Sequence, residues 1–455
     1  MAWNEQEKRR GGRFGVCAAS EVRLSQEELD GLKALEEKAE SGDAEAAYDY
    51  AVLLYRGEYV QKDISKAIRF FEVASAGGVK EASYNLGLLY ISGQRVAKKD
   101  VKKGLEYLEK ASQANCREAS FKLGLMHMHG QEGLSINSDL AYRYMEKAAD
   151  LEMAEASFMC GLMRQTGRGV TQNSDMALTW FTRAGSLGHP AGACNAAMMY
   201  HNGIGSPVDM FQAWQWYQIA SKLGDQDAKA TEALFLLYGY EDLVPRNLSL
   251  GLQLLQEASQ ASAIAQRALA AIYLGRGEIS GQREISALLP VNKPAAYELF
   301  AACARQDDND CRSELASMIL LGEGVAPKHV DPSLAFRLVS KASEEGHAGA
   351  SLKKGIMQSL GIGTTQNSTA AIKSYHKATE KRCLPAQFLL GVAFVEGDGV
   401  DKSYTKGMTY LVASESGGYQ PAVDAIRLLK NDEKIDFWRD VREKLLQEPE
   451  KPMTL

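Results

Sequence analysis

Histidine and cysteine are the residues of this chain best suited to chemistry, and there are seven of each. His127 and His129 flank a single methionine, a spacing that can offer two imidazoles to a metal ion. No cysteine or carboxylate completes a set at metal-ligand spacing, however, and His127 falls where a recurring pattern elsewhere places Tyr90 and Tyr200. The other histidines are scattered, and nothing in their order supports a nucleophile–base–acid triad. Gly-x-Gly occurs at Gly167/Gly169, Gly203/Gly205, Gly275/Gly277, Gly322/Gly324, Gly361/Gly363 and Gly397/Gly399. A dinucleotide fingerprint needs a preceding strand and a third glycine at the right distance. Here each pair follows a helical stretch and recurs with a period, which reads as turn chemistry. The acceptor triplets at Asn247 and Asn367 carry little weight without a secretory signal. The sequence predicts no catalytic residue, no metal site and no cofactor.

The period itself is the stronger signal. One column of small residues holds Ala51, Gly87, Gly124, Gly161, Ala197, Ala233, Ala271, Ala316, Gly355 and Gly391, spaced 36 to 45 residues apart. Six residues after each stands a glycine, from Gly57 to Gly397. Self-similarity of this length marks stacked supersecondary units whose faces form a continuous core. Each unit reads as two helices. In Glu81 to Ile91, Ala82, Leu86, Leu89 and Tyr90 fall at helical spacing, and a glycine follows as a helix stop. The second helix carries its own small column (Ala67, Gly104, Ala141, Ala177 and onward) and another seven residues later (Ala74, Ala111, Ala148, Ala184, Cys303, Ala342). A separation of seven puts both on one face. Phe70–Phe71, Trp180–Phe181 and Trp216–Tyr217 lie between and are expected to fill the core.

The runs ASYNLGLLYISG, KKGLEYLEKAS, MALTWFTRAGSLGHP and AWQWYQIASKLGD resemble the Sel-one-like repeat, a relative of the tetratricopeptide repeat. The resemblance spans residues 44 to 420. It implies an all-α, right-handed superhelical solenoid of about ten antiparallel helix pairs, and a non-catalytic scaffold or adaptor presenting a concave surface to protein or peptide partners. It also bears on the cysteines. Cys303 and Cys311 stand in facing alanine columns, and their spacing resembles the disulfide of cysteine-rich bacterial members. Two buried thiols in place of alanines is the alternative, favoured by the lack of a secretory signal. The alternatives are a structural subunit or assembly factor of a large complex, for example a mitochondrial one, and a regulatory activator of a membrane-bound enzyme, a role that some family members have. The link of some cysteine-rich relatives to β-lactams finds no Ser-x-x-Lys set here.

The domain plan follows: a flexible segment 1–24, a capping helix 25–43, ten repeats over 44–420 with an insertion at 278–293, capping helices over 421–447 and a flexible tail 448–455. Ser25 and Glu28 have capping-box spacing, and Ile435 to Gln447 reads as a final amphipathic helix. Partner contacts are expected where the period is broken or the first helices are exposed. The insertion is unusually apolar at Ile285, Leu288, Leu289 and Val291. Lys98, Lys99, Lys102 and Lys103 form a basic spot, and Asn85, Lys122 and Asn195 lie on the first helices. A net charge of −6 gives no electrostatic reason to expect nucleic acid, and no run of eighteen apolar residues suggests direct membrane insertion. The first twenty-four residues lack a signal-peptide core, so the expected compartment is cytoplasmic, with mitochondrial as the alternative.

Overall fold

The computed structural model describes residues 25–93, 99–240, 244–275, 285, 287–325, 330–430 and 438–447. They form two compact units, one ending at Leu187 and one beginning at Gly188. Among the described residues there is no strand beyond a single Tyr240–Val244 bridge.

The N-terminal unit holds α1 (Gln26–Glu40), α2 (Ala44–Arg56), α3 (Ile64–Ala76), α4 (Lys80–Ser92), α5 (Val101–Gln113), α6 (Arg117–His129), α7 (Ser138–Asp150), α8 (Ala154–Thr166) and α9 (Ser174–Ser186). The C-terminal unit holds α10 (Pro190–Asn202), α11 (Met210–Lys222), α12 (Gln226–Tyr238), α13 (Leu248–Ala258), α14 (Ala263–Tyr273), α15 (Lys293–Arg305), α16 (Asn309–Leu321), α17 (Pro332–Glu344), α18 (Ala348–Leu360), α19 (Ser368–Thr379), α20 (Leu384–Glu396), α21 (Tyr404–Ser416), α22 (Gln420–Lys430) and α23 (Trp438–Gln447). From α2 to α21, even numbers are the first helices of ten pairs and odd numbers the second. Within each unit the helices up to α22 pack chiefly on their sequence neighbours, as a solenoid requires.

Helix boundaries are chemically encoded. Each second helix starts at an N-cap side chain that accepts a backbone N–H: Asp63, Asp100, Asn137, Asn173, Asp209, Asn247, Asn292, Asp331, Asn367 and Ser403. This gives Asn247 and Asn367 a structural task, since Asn247 Oδ1 accepts from Leu250 N at 3.1 Å and Asn367 Oδ1 from Ala370 N at 2.8 Å. Most first helices end on a left-handed glycine, as at Gly57 (φ 72°) and Gly397 (φ 79°). The second glycine of a Gly-x-Gly pair has a different reason. A Cβ on Gly169 or Gly363 would collide with the backbone of Ser138 or Pro332 in the preceding repeat. The motif is a place where backbones touch.

The small columns are contact points between the helices of a pair. A Cβ on Gly161 would stand 2.6 Å from the Phe181 ring, and one on Gly87 2.7 Å from Leu108. Phe70, Phe71 and Phe181 are fully buried, as the aromatic pattern predicts. Repeat seven departs from the expected register by one residue. Ala270, not Ala271, is fully buried, and α14 is shorter than its counterparts.

Candidate functional site

The exposed stripe of a first helix follows from its period. Four positions spaced by four, three and four residues share one face. In α4 they are Glu81, Asn85, Leu88 and Ser92; in α6, Glu118, Lys122, Leu125 and His129; in α8, Glu155, Met159, Leu162 and Thr166. α2 contributes Glu45, Asp49, Val52 and Arg56. All are exposed or half-buried except Asn85, which is 4% exposed. Aromatic residues border this stripe at Tyr48, Tyr84, Phe121 and Phe158, each half-buried.

The two central positions of this stripe are closed off in α16, α18 and α20. Glu314, Ser317, Lys353, Ile356, Leu389 and Val392 are all buried. The cover is α23, which packs against α16, α18 and α20. Trp438, Val441, Arg442, Leu445 and Leu446 repeat at helical spacing. Leu445 and Leu446 are buried in the core of this unit, and Trp438 and Val441 pack on its edge. The Arg442 guanidinium lies over the Trp438 ring and pairs with Asp398 at 2.9 Å. Lys353 Nζ donates to Ser317 Oγ at 2.9 Å, a bond that offsets part of the cost of burying an ammonium group. The sequence places Ile435 to Gln447 as an end cap. The helix Trp438–Gln447 instead lies across the first helices of three repeats, and Ile435 and Phe437 fall outside the described residues.

Of the residues singled out in sequence, Lys122 and Asn195 are half-buried on first helices. Neither Nδ2 nor Oδ1 of buried Asn85 has a hydrogen-bond partner. In the insertion, Ile285 is buried against α12, α13 and α14 and Leu289 packs beside it, whereas Leu288 and Val291 are exposed. The basic spot is partly spent on internal pairs. Lys99 meets Glu132 at 2.8 Å, and Lys103 donates to Tyr90 Oη at 2.6 Å and to Glu72 at 3.1 Å. Lys102 is exposed, and Lys98 lies outside the described residues. His127 stacks on Tyr144, and burial lowers its pKa, so its ring serves packing.

Cys303 and Cys311 are joined in a disulfide with Cα atoms 5.9 Å apart, across the turn between α15 and α16. At three other turns, one residue further along each column, buried hydroxyls make the bridge instead: Ser75–Ser83, Ser112–Ser120 and Ser343–Ser351 are each 2.8 Å apart. Beside the disulfide lies an ionic cluster that carries no periodic signal. Arg312, 2% exposed, pairs with Asp307 and with Glu345 at 2.8 Å. Arg267 pairs with Asp310, whose other oxygen lies 2.8 Å from His347 Nε2. His347 Nδ1 accepts from Ala350 N, so a neutral ring carries its proton on Nε2 and donates it to Asp310. That bond, aided by Arg267, holds the Asp310 carboxyl below its usual range. Among the described residues, the one group of three potential metal ligands is Cys303, Asp308 and Cys311, and its two sulfurs are bonded to each other. Burial pushes the thiols of Cys116 and Cys194 up to about 12 and that of Cys160 higher still, which leaves them poor nucleophiles. An open groove of about 620 Å³ beside α7 is lined by Asp139, Tyr142, Arg143 and Glu146. Tyr142 donates to Glu146 at 2.9 Å and accepts from Arg164 at 3.0 Å, and burial raises its pKa, so the phenol stays protonated.

A stack of helix pairs capped and punctuated in this way defines an α-solenoid repeat protein. A Sel1 repeat family model matches residues 44–79, 80–116, 117–153, 154–189, 190–225, 228–262, 310–347, 355–382 and 384–418, and the chain belongs to that family. The model passes over the pair α14–α15, whose insertion breaks the period. A protective antigen of uropathogenic Escherichia coli strains, displaying an SLR fold, is similar in structure. The TM-score is 0.58, at 21% identity, over 91% of this chain and 93% of that one. A Sel1 repeat protein from Oxalobacter formigenes aligns with a TM-score of 0.53 at 24% identity, over 76% of this chain and 97% of its own. Both likenesses concern the fold. A search of curated proteins finds no match. Among the described residues no helix is long and apolar enough to cross a membrane.

Proposed function

We propose that this chain is a non-catalytic scaffold or adaptor that binds protein or peptide partners on the first-helix face of its N-terminal unit. The observation that carries this reading is the stripe through Val52, Leu88, Leu125 and Leu162. It is a ladder of half-buried aliphatic residues on four successive first helices, bordered by aromatic residues. An apolar surface that is contiguous and rimmed by charge marks an interaction site more often than an isolated exposed side chain does. Sel1 repeat proteins generally bind proteins, which agrees with this reading. Leu288 and Val291 form a second, smaller exposed apolar spot.

The test is affinity capture from native cells with tagged full-length protein, comparing wild type with two variants. One carries Leu88→Lys and Leu125→Lys; the other carries Leu288→Ser and Val291→Ser. Deleting the insertion is the poorer choice, because Ile285 belongs to the core. A stoichiometric partner lost only with the first variant supports the reading. Loss only with the second moves the site to the insertion. Capture of no stoichiometric partner defeats the adaptor reading.

A further inference from the structure

The C-terminal unit contains an occupant for this kind of face. α23 is an amphipathic helix lying across three first helices, with anchors at Trp438, Val441, Arg442, Leu445 and Leu446. Ten residues of helix span about 15 Å, enough to bridge neighbouring repeats. Because each repeat is built on the same columns, the surface that receives α23 recurs in the N-terminal unit. There Leu88, Leu125 and Leu162 remain half-buried along it.

The open stretch is more apolar than the covered one. At the column positions of Ser317 and Ile356, in helices that α23 packs against, the N-terminal unit has Leu88 and Leu125; at those of Ser313 and Leu352 it has Tyr84 and Phe121. Asn85, on the same stripe, is buried with both amide atoms unpartnered. An unsatisfied buried amide costs about 1–3 kcal/mol, which a polar group arriving at this face relieves. The rim is acidic: Glu45, Asp49, Glu81 and Glu155 outnumber Arg56 and Lys122. Loss of hydration, and then the neighbouring Glu45 carboxylate, push the Asp49 pKa up, the mark of an acid short of a cation. The α23 sequence, WRDVREKLLQ, carries three bases against two acids.

We propose that the first-helix face of the N-terminal unit docks an amphipathic α-helix of a partner protein, its apolar stripe flanked by lysine or arginine. This rests on the adaptor reading and specifies the partner. The mode is a helix laid in a groove, with anchors at i, i+3 or i+4, and i+7. The Leu88–Leu125–Leu162 ladder takes the apolar face, and the acidic rim meets the bases.

The probe is a fluorescent peptide of residues 435–447 of this chain, with a twin in which Arg439, Arg442 and Lys444 are changed to Glu. Binding to the full-length protein is followed by fluorescence anisotropy and mapped by hydrogen–deuterium exchange. The expected results are saturable binding, protection in α4, α6 and α8, and at least tenfold weaker binding of the twin. Leu125→Lys weakens binding at least tenfold. Glu45→Lys with Glu155→Lys, both exposed, weakens it without lowering the melting temperature. Three results overturn the proposal: no binding, equal binding of the twin, or protection confined to α16, α18 and α20, which is exchange with the chain's own α23. A captured native partner that depends on Leu125 while the peptide fails to bind would overturn the helical chemistry and leave the adaptor reading standing.

Discussion

The first helices α4, α6 and α8 and the first helices α16, α18 and α20 are built on the same columns yet live in different surroundings. In the first group each helix keeps a wet stripe; Leu125 and Leu162 are half-buried. In the second group α16 is buried from Cys311 through Ile319 without a break, and α20 from Phe388 through Val395. A helix surrounded on all sides is expected to be apolar all round. FLLGVAFV in α20 obeys this, whereas α16 and α18 keep Arg312, Glu314 and Lys353 under cover. The difference teaches that one repeat surface takes a helix when one is supplied, and that it does so even where charge makes the burial expensive.

The largest effect tests what both groups share. Ala184→Arg in the N-terminal unit and Ala342→Arg in the C-terminal unit each force a guanidinium into a fully buried contact. Each is expected to destabilise its unit by more than about 4 kcal/mol in urea melts. An unchanged melt for either would show that the small columns do not carry the stack.

Next comes the contrast itself. Ile356→Ala and Leu125→Ala change the same column, but Ile356 is fully buried and Leu125 is not. The first should cost about 2–5 kcal/mol, the second about 1 kcal/mol or less. Leu446→Ala should additionally speed amide exchange in α16, α18 and α20 while leaving α4, α6 and α8 unchanged. Equal costs for the two columns, or uniform exchange, would erase the distinction between a covered and an open face.

The turn between α15 and α16 gives a smaller effect. Cys303→Ala removes a cross-link over a sequence separation of 8, worth about 2–3 kcal/mol in the chain-entropy description. Thiol alkylation before and after reductant, read by mass spectrometry, counts the bonded pair, and a melt of the variant gives its weight. No mass change on reduction would leave Cys303 and Cys311 as buried thiols in place of the alanines of the other turns.

Smallest is the pH effect of one carboxyl in the C-terminal unit. Asp310 titrates below its usual range, so its contribution is present above the unfolded-state value near 3.8 and is lost as pH falls through the lower folded value. Wild-type stability should therefore drop on acidification below about pH 4, and His347→Ala should drop less. Parallel curves would remove His347 from that role.

Much of this was written in the chain. Ala51, Gly87, Gly124 and their successors announce helix pairs because backbones can approach closely only where side chains are small. The capping box at Ser25 and Glu28 forms as its spacing predicts. The N-caps at Asp63, Asn137 and their equivalents emerged only from the structure, although an Asx side chain before a helical run is the pattern that could have shown them. The register slip at Ala270 was hidden because α14 stops early: its left-handed glycine is Gly275, whereas counting six residues back from Gly277 lands on Ala271.

Sequence alone settled the architecture, because a repeat fixes each helix by contacts within its own forty or so residues, and local contacts are written in local patterns. It could not place α23. The stripe of Trp438, Val441, Leu445 and Leu446 says that the helix must bury one face, but not which surface it buries it against. That is decided by α16, α18 and α20, which lie more than forty residues away along the chain and meet α23 only once the repeats have stacked. For the same reason the buried Arg312 cluster, and the contrast between a covered and an open first-helix face, belong to the tertiary structure.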